Sequence, residues 1–251
     1  MGEIIAIINQ KGGVGKSTNA HNIGAGFFLK GFKVLYIDMD AQGNLSYTLR
    51  ADQNRATILD VLKQTATAAD AIQHTEEGDV IPASPGLSGA DGLITTTGKE
   101  YRLKEALEPV KGNYDYIVID TPPTLGILII NALTACTGAI IPAMADPYSL
   151  QGISQLYSTI QAVKQYCNSS LQVKGIVLTK YSDRTVLSRE LAEMMEKTAE
   201  QFETILYKTT IREAVAIREA QASQKSVLTY SPKSNVAKDY EALVNEIIER
   251  W

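Results

Sequence analysis

Apolar residues gather in short, nearly unbroken blocks. The first is Ile4-Ile5-Ala6-Ile7-Ile8, and others of similar length fall at 33–37, 114–119, 139–143 and 173–178. A block with almost no polar alternation predicts a strand buried on both faces. The intervening stretches change period. Ile23, Phe27 and Phe28 keep helical spacing within 17–30, and Gly31 marks the end of that helix. Further helices are predicted at 57–64 (Thr57 as cap, Asp60 in the first turn), 102–110, 126–135, 150–166, 186–202 and 235–250. Short strands are predicted at 79–82 and 204–206. The rest of 65–98, rich in Thr, Ala and Gly, and the segment 212–222 carry no clear pattern. Strands alternating with helices predict an α/β fold, a mostly parallel twisted sheet with helices on both faces. No repeat, linker or break in composition divides 1–251, so one domain is expected.

In such a sheet, ligands bind beyond the carboxyl ends of the strands, and three of those ends carry chemistry. After the first comes Lys11-Gly12-Gly13-Val14-Gly15-Lys16-Ser17-Thr18. A strand, a glycine-rich turn and a helix start ending in Gly-Lys-Ser is the setting of a phosphate cradle of P-loop type. Backbone N–H groups converge on the anion and the helix dipole adds to them. Lys16 is expected on the β- and γ-phosphates and the Ser17 hydroxyl on Mg²⁺.

The second strand ends at Asp38-Met39-Asp40, whose two carboxylates share one side of an extended backbone. Beside a magnesium nucleotide, one would support the metal shell and the other would orient or deprotonate the attacking water. The third end, Asp120 after Tyr116-Ile117-Val118-Ile119, fits a Walker B aspartate holding Mg²⁺ through water.

Composition adds less. The chain is 45% apolar and 21% charged, as soluble globular proteins are. No apolar run approaches the ~18 residues of a membrane span, and Met1-Gly2-Glu3 runs straight into a strand, so a cytoplasmic protein without signal peptide is expected. Cys136 and Cys167 stand apart and read as core residues of a reducing compartment. Residues 1–150 hold 11 Lys and Arg against 16 Asp and Glu, a net −5; residues 151–251 hold 13 against 12, a net +1. A basic patch in the second half is therefore compatible with the total of −4.

The loop departs from G-x-x-x-x-G-K-[ST], because Gln10 takes the place of the first glycine and a second lysine, Lys11, opens it. It resembles the deviant Walker A ATPases. The resemblance implies that Lys11 reaches across an ATP-sandwich homodimer to the partner's phosphates, and that Lys11 through Thr18 bind the nucleotide. Asp38-Met39-Asp40-Ala41-Gln42-Gly43-Asn44 is similar to the D-x-D-P-Q-G-N segment of ParA/Soj-type partition ATPases, with Ala41 for the usual proline. That match implies Asp40 as the water-activating residue and Asp38, with Ser17 and Asp120, around the metal. The resemblance continues through Asn9-Gln10, the segment 116–123, Leu150-Gln151-Gly152-Ile153, Tyr230-Ser231-Pro232-Lys233-Ser234 and Ala237-Lys238-Asp239-Tyr240. Where relatives carry I-P-R-N, this chain has Ile211-Arg212-Glu213-Ala214, so base and DNA contacts are not carried over.

The function implied is a partner-stimulated ATPase switch using ATP and Mg²⁺. It would dimerise, bind DNA nonspecifically, associate with the nucleoid and drive plasmid or chromosome partition with a ParB-like activator. DNA candidates are Lys180, Arg184, Arg189, Arg212 and Arg218, with Arg189, Arg212 and Arg218 singled out; a solvated helix face with Arg189 paired to Glu193 is the alternative. With no segment before the first strand, no N-terminal helix-turn-helix domain is expected. A positioner of non-DNA cargo on the nucleoid would be the same machine. A MinD-type ATPase would need a basic amphipathic C-terminal helix, whereas 241–251 is acidic on its polar face. An iron–sulfur ATPase would need paired cysteines, and a metabolic P-loop kinase or ligase leaves Lys11 without a role.

Overall fold

Each central strand sends alternate residues to opposite faces, and both faces are apolar. From the first strand, Ile4, Ala6 and Ile8 enter one core while Ile5 and Ile7 enter the other. Leu35 and Ile37 oppose Val34 and Tyr36 in the same way, as Ile117 and Ile119 oppose Tyr116 and Val118. The computed structural model describes residues 2–250. Met1, and Trp251 at the end of the segment 241–251, lie outside the described residues.

In chain order the elements are β1 (Glu3–Ile7), α1 (Lys16–Leu29), β2 (Val34–Asp38), α2 (Asn44–Thr48), α3 (Ile58–Leu62), α4 (Ala68–Ala71), β3 (Gln73–Thr75), β4 (Gly78–Ile81), α5 (Ala90–Leu93) and α6 (Arg102–Leu107). Then come β5 (Tyr116–Asp120), α7 (Ile127–Ala135), β6 (Gly138–Ala143), α8 (Pro147–Tyr166), β7 (Gln172–Leu178), α9 (Val186–Gln201), α10 (Val215–Ala222), α11 (Val227–Tyr230) and α12 (Asn235–Arg250). The seven strands run β3-β4-β2-β5-β1-β6-β7, all parallel but for the β3–β4 hairpin at one edge. The α/β expectation holds. Helices α3 to α9 cover one face, and α1, α2 and α10 to α12 the other.

Helix α1 lies very close to its neighbours. A Cβ on Gly24 would meet the Tyr36 ring at 2.2 Å, and one on Gly26 would meet Val244 of α12 at 2.5 Å. The ring of Phe27 stacks on Tyr116 with centroids 3.8 Å apart. The helix that begins at the phosphate loop is thereby fixed against both sheet and C-terminal helix.

Four sequence readings change. The strand expected at 204–206 is only an isolated bridge, Leu206 to Ile176. Its ladder breaks because the N–H groups of Lys208 and Thr209 donate to the Glu246 carboxylate instead. The unassigned 212–222 contains α10, and β3 is an antiparallel edge strand that composition concealed. Helix α8 starts at Pro147, earlier than expected, because Asp146 caps it by accepting from the Ser149 N–H at 3.1 Å.

Candidate functional site

Strand β1 ends beside β5 and β6, so the loop after it opens over the middle of the sheet. Gly13 (φ 77°) and Gly15 (φ 88°) adopt the left-handed conformation that folds 11–15 back on itself before α1 begins. A cavity of about 750 Å³ lies above, lined by Gly12, Gly13, Gly15, Lys16, Ser17, Thr18 and Asp40 on one side. Its other side is formed by Lys180, Glu213, Ile217, Arg218 and Gln221.

Lys16 is almost fully buried, and its ammonium donates to the Lys11 carbonyl at 3.2 Å. Burial lowers its pKa from the usual lysine range, opposed by the charges of Asp120 and Asp40. Asp120 is completely buried, directly across the ladder from Asp38, and neither of its carboxylate oxygens has a hydrogen-bond partner. Burial first, then the Asp38 charge, push its carboxyl well above the usual range, against the pull of the neighbouring Ser17 hydroxyl and Lys16 ammonium. A buried carboxylate with both oxygens orphaned is costly unless a cation or donor meets it.

Asp38 is equally buried but fully engaged. It accepts from the Asp40 N–H at 3.1 Å and from both the N–H and hydroxyl of Ser46 at 2.7 Å. Burial still pushes its carboxyl up to about 6. These bonds shape the loop that carries Asp40, whose own carboxylate accepts the Gln42 N–H at 3.0 Å at the cavity wall. Among the described residues no three carboxylate, histidine or cysteine side chains converge as an all-protein metal cage. Mg²⁺ seldom uses such a cage; it takes one or two carboxylates together with substrate phosphates.

The two lysines of the loop face different ways. Lys11 does not line the cavity. Its ammonium bonds Asp146 at 2.6 Å, lies 3.5 Å from the Ser149 hydroxyl and sits 5.9 Å from the centre of the Tyr148 ring, at the start of α8.

The DNA candidates are dispersed. Arg189 donates to the Asp183 carbonyl at 2.7 Å, not to Glu193. Arg212 forms a two-pronged ion pair with Asp239, at 2.6 and 2.8 Å. Arg218 reaches the cavity rim, and Lys180 bonds the phosphate loop itself. Sequence reading missed Asp146, Ser46, Thr179 and Gln221, whose Nε2 donates to the Thr18 hydroxyl at 2.9 Å. Thr179 was within reach of the strand-end rule, since it directly follows β7; Gln221 sits on a helix that the pattern did not reveal.

Residues 2–173 match the family described as AAA domain. The chain is 43% identical over 253 residues to the sporulation initiation inhibitor protein Soj of Bacillus subtilis, covering 98% of each chain. It is 39% identical over 254 residues to the chromosome partitioning protein ParA of Caulobacter vibrioides, covering 98% of this chain and 94% of that one. Among solved structures, cobyrinic acid a,c-diamide synthase of Mycobacterium smegmatis, determined with bound ADP and magnesium, superposes with a TM-score of 0.86 at 31% identity over 100% of this chain and 96% of its own. With a phosphate loop and Asp40 lining one cavity, with Asp38 and an orphaned Asp120 buried at the adjoining strand ends, and with relatives matched over nearly their full length, the chain belongs to the family of the Soj and ParA chromosome partitioning proteins.

Proposed function

We propose that this chain is an ATPase switch that dimerises on ATP, binds DNA nonspecifically and drives plasmid or chromosome partition, with hydrolysis stimulated by a ParB-like partner. The observation that carries the reading is the division of labour between the two loop lysines: Lys16 buried at the cavity facing Asp120 and Asp40, Lys11 turned away from it onto Asp146.

The residues fit ATP with Mg²⁺. Orphaned Asp120 and the Ser17 hydroxyl would hold the metal, Asp38 supporting them, and Lys16 with the backbone of 12–18 would hold the phosphates. When bound, Mg²⁺ neutralises charge on the phosphates. Asp40 orients the attacking water and accepts its proton, in a loop whose shape the Asp38–Ser46 bonds maintain. Lys11 exchanges Asp146 for the phosphates of a second copy. It is a partly exposed pair, so the exchange costs little. Arg189 and Arg218 offer exposed charge to DNA phosphates; Arg212, already matched by Asp239, contributes less.

No described helix is long and apolar enough to cross a membrane, and the apolar face of α12, from Val236 to Ile247, is buried in the core.

The test is ATP-dependent DNA binding under a salt titration, with ATP turnover measured alongside. The proposal expects DNA retention only with ATP, weakening steeply as salt rises, and turnover that requires Asp40. DNA binding indifferent to nucleotide contradicts it.

A further inference from the structure

Five described residues other than glycine have left-handed backbones: Arg50, Gln64, Lys180, Glu203 and Gln224. Four of them stand one residue beyond a helix C-cap, after α2, α3, α9 and α10, where that conformation commonly closes a helix. Lys180, at φ 51°, follows strand β7 instead. A side-chain-bearing residue keeps such a conformation where its surroundings over-determine it. Here they do. Thr179 N–H donates to the Ala143 carbonyl at 2.8 Å, and Tyr181 N–H to the Ile211 carbonyl at 3.0 Å, so the backbone is held on both sides of Lys180.

The conformation aims two side chains at the phosphate loop. The Thr179 hydroxyl donates to the Val14 carbonyl at 2.8 Å, and the Lys180 ammonium donates to the Gly13 carbonyl at 2.9 Å. In a trans peptide the C=O and the N–H of the next residue point in opposite directions. Fixing these two consecutive carbonyls toward the end of β7 therefore turns the N–H groups of Val14 and Gly15 the other way, as an anion cradle requires. We infer that Lys180 is a positioning residue that presets the phosphate loop for its nucleotide. The inference rests on the nucleotide-binding reading above, and it removes Lys180 from the DNA candidates.

Calorimetric titration with ADP and Mg²⁺, alongside steady-state ATP hydrolysis, tests it on wild type, Lys180→Met, Lys180→Arg and Lys180→Gly. Loss of an exposed, charge-assisted bond is expected to weaken ADP about three- to tenfold in Lys180→Met and to raise KM for ATP by a similar factor, with kcat within about twofold. Lys180→Arg restores affinity. Lys180→Gly, which relieves the backbone but lacks the ammonium, binds as weakly as Lys180→Met. Wild-type affinity in either Lys180→Met or Lys180→Gly overturns the inference. So does a loss in Lys180→Arg equal to that in Lys180→Met, because the site then tolerates only native lysine packing. Wild type failing to bind ADP at all would remove the nucleotide reading, and this inference with it.

Discussion

The two sides of the cavity are made of different material. On the phosphate-loop side the charges are sunk: Lys16 and Asp40 are 7% and 9% exposed, Asp38 and Asp120 are at 0%. On the α10 side, Lys180, Glu213 and Arg218 are exposed. A buried charge must have its partners supplied by structure or ligand, so few arrangements work there. An exposed charge is screened by water and can vary at small cost. The resemblance read from the sequence runs along the first side and lapses at Ile211-Arg212-Glu213-Ala214 on the second, in keeping with that difference.

If that contrast is right, losing a buried charge of the phosphate-loop side costs about tenfold more than losing an open-side charge that, unlike Lys180, has no bond to the loop. Lys16→Ala removes a buried cation facing Asp120 and Asp40, and nucleotide affinity is expected to fall at least about 30-fold in a binding titration. Asp40→Ala should lower ATP turnover by about 10²-fold or more while leaving ATP binding intact, as loss of a proton acceptor does; wild-type turnover would reassign the residue. Glu213→Ala, on the open side, is expected to change nucleotide affinity by no more than about threefold. A tenfold loss there would erase the contrast.

A buried pair away from the phosphates sharpens it. His21 of α1 lies 2.6 Å from Glu77 of the β3–β4 hairpin, and Glu77 also accepts from the Ser226 hydroxyl at 2.7 Å. Although burial alone would raise the Glu77 pKa, hydrogen bonding and charge from His21, joined by Thr229 and Ser226, hold it down at about 2, below its ordinary 4.5. A depressed carboxyl contributes stability that is complete above 4.5 and lost as pH falls toward 2. Denaturant unfolding over that window should show the loss, roughly 2–3 kcal/mol. In Glu77→Gln the slope of stability against pH over that window should be flatter. An unchanged slope would place the acid sensitivity elsewhere.

How much of this could be read from the chain depends on the same physics. Strands β1, β2, β5, β6 and β7 are buried on both faces and declared themselves as apolar blocks, and the loop and carboxylates at their ends followed. Strand β3 did not, because Gln73-His74-Thr75 is a polar edge held by one neighbour. Helix α10 hid because only Ala220 along it is buried. The Lys11–Asp146 pair joins residues 135 positions apart, and no local pattern encodes it. The resemblance implied that Lys11 reaches the phosphates of a second copy; in the structure its ammonium is held by Asp146.

That outward lysine is the centre of the account, and the mass of the Asp40→Ala protein in solution tests it most directly. Light scattering on a sizing column with saturating ATP and Mg²⁺ should give twice the mass of one chain, falling back to one chain when Lys11→Ala is added to Asp40→Ala. A single-chain mass with ATP fully bound, or a dimer that survives loss of Lys11, would contradict the clasp between two copies.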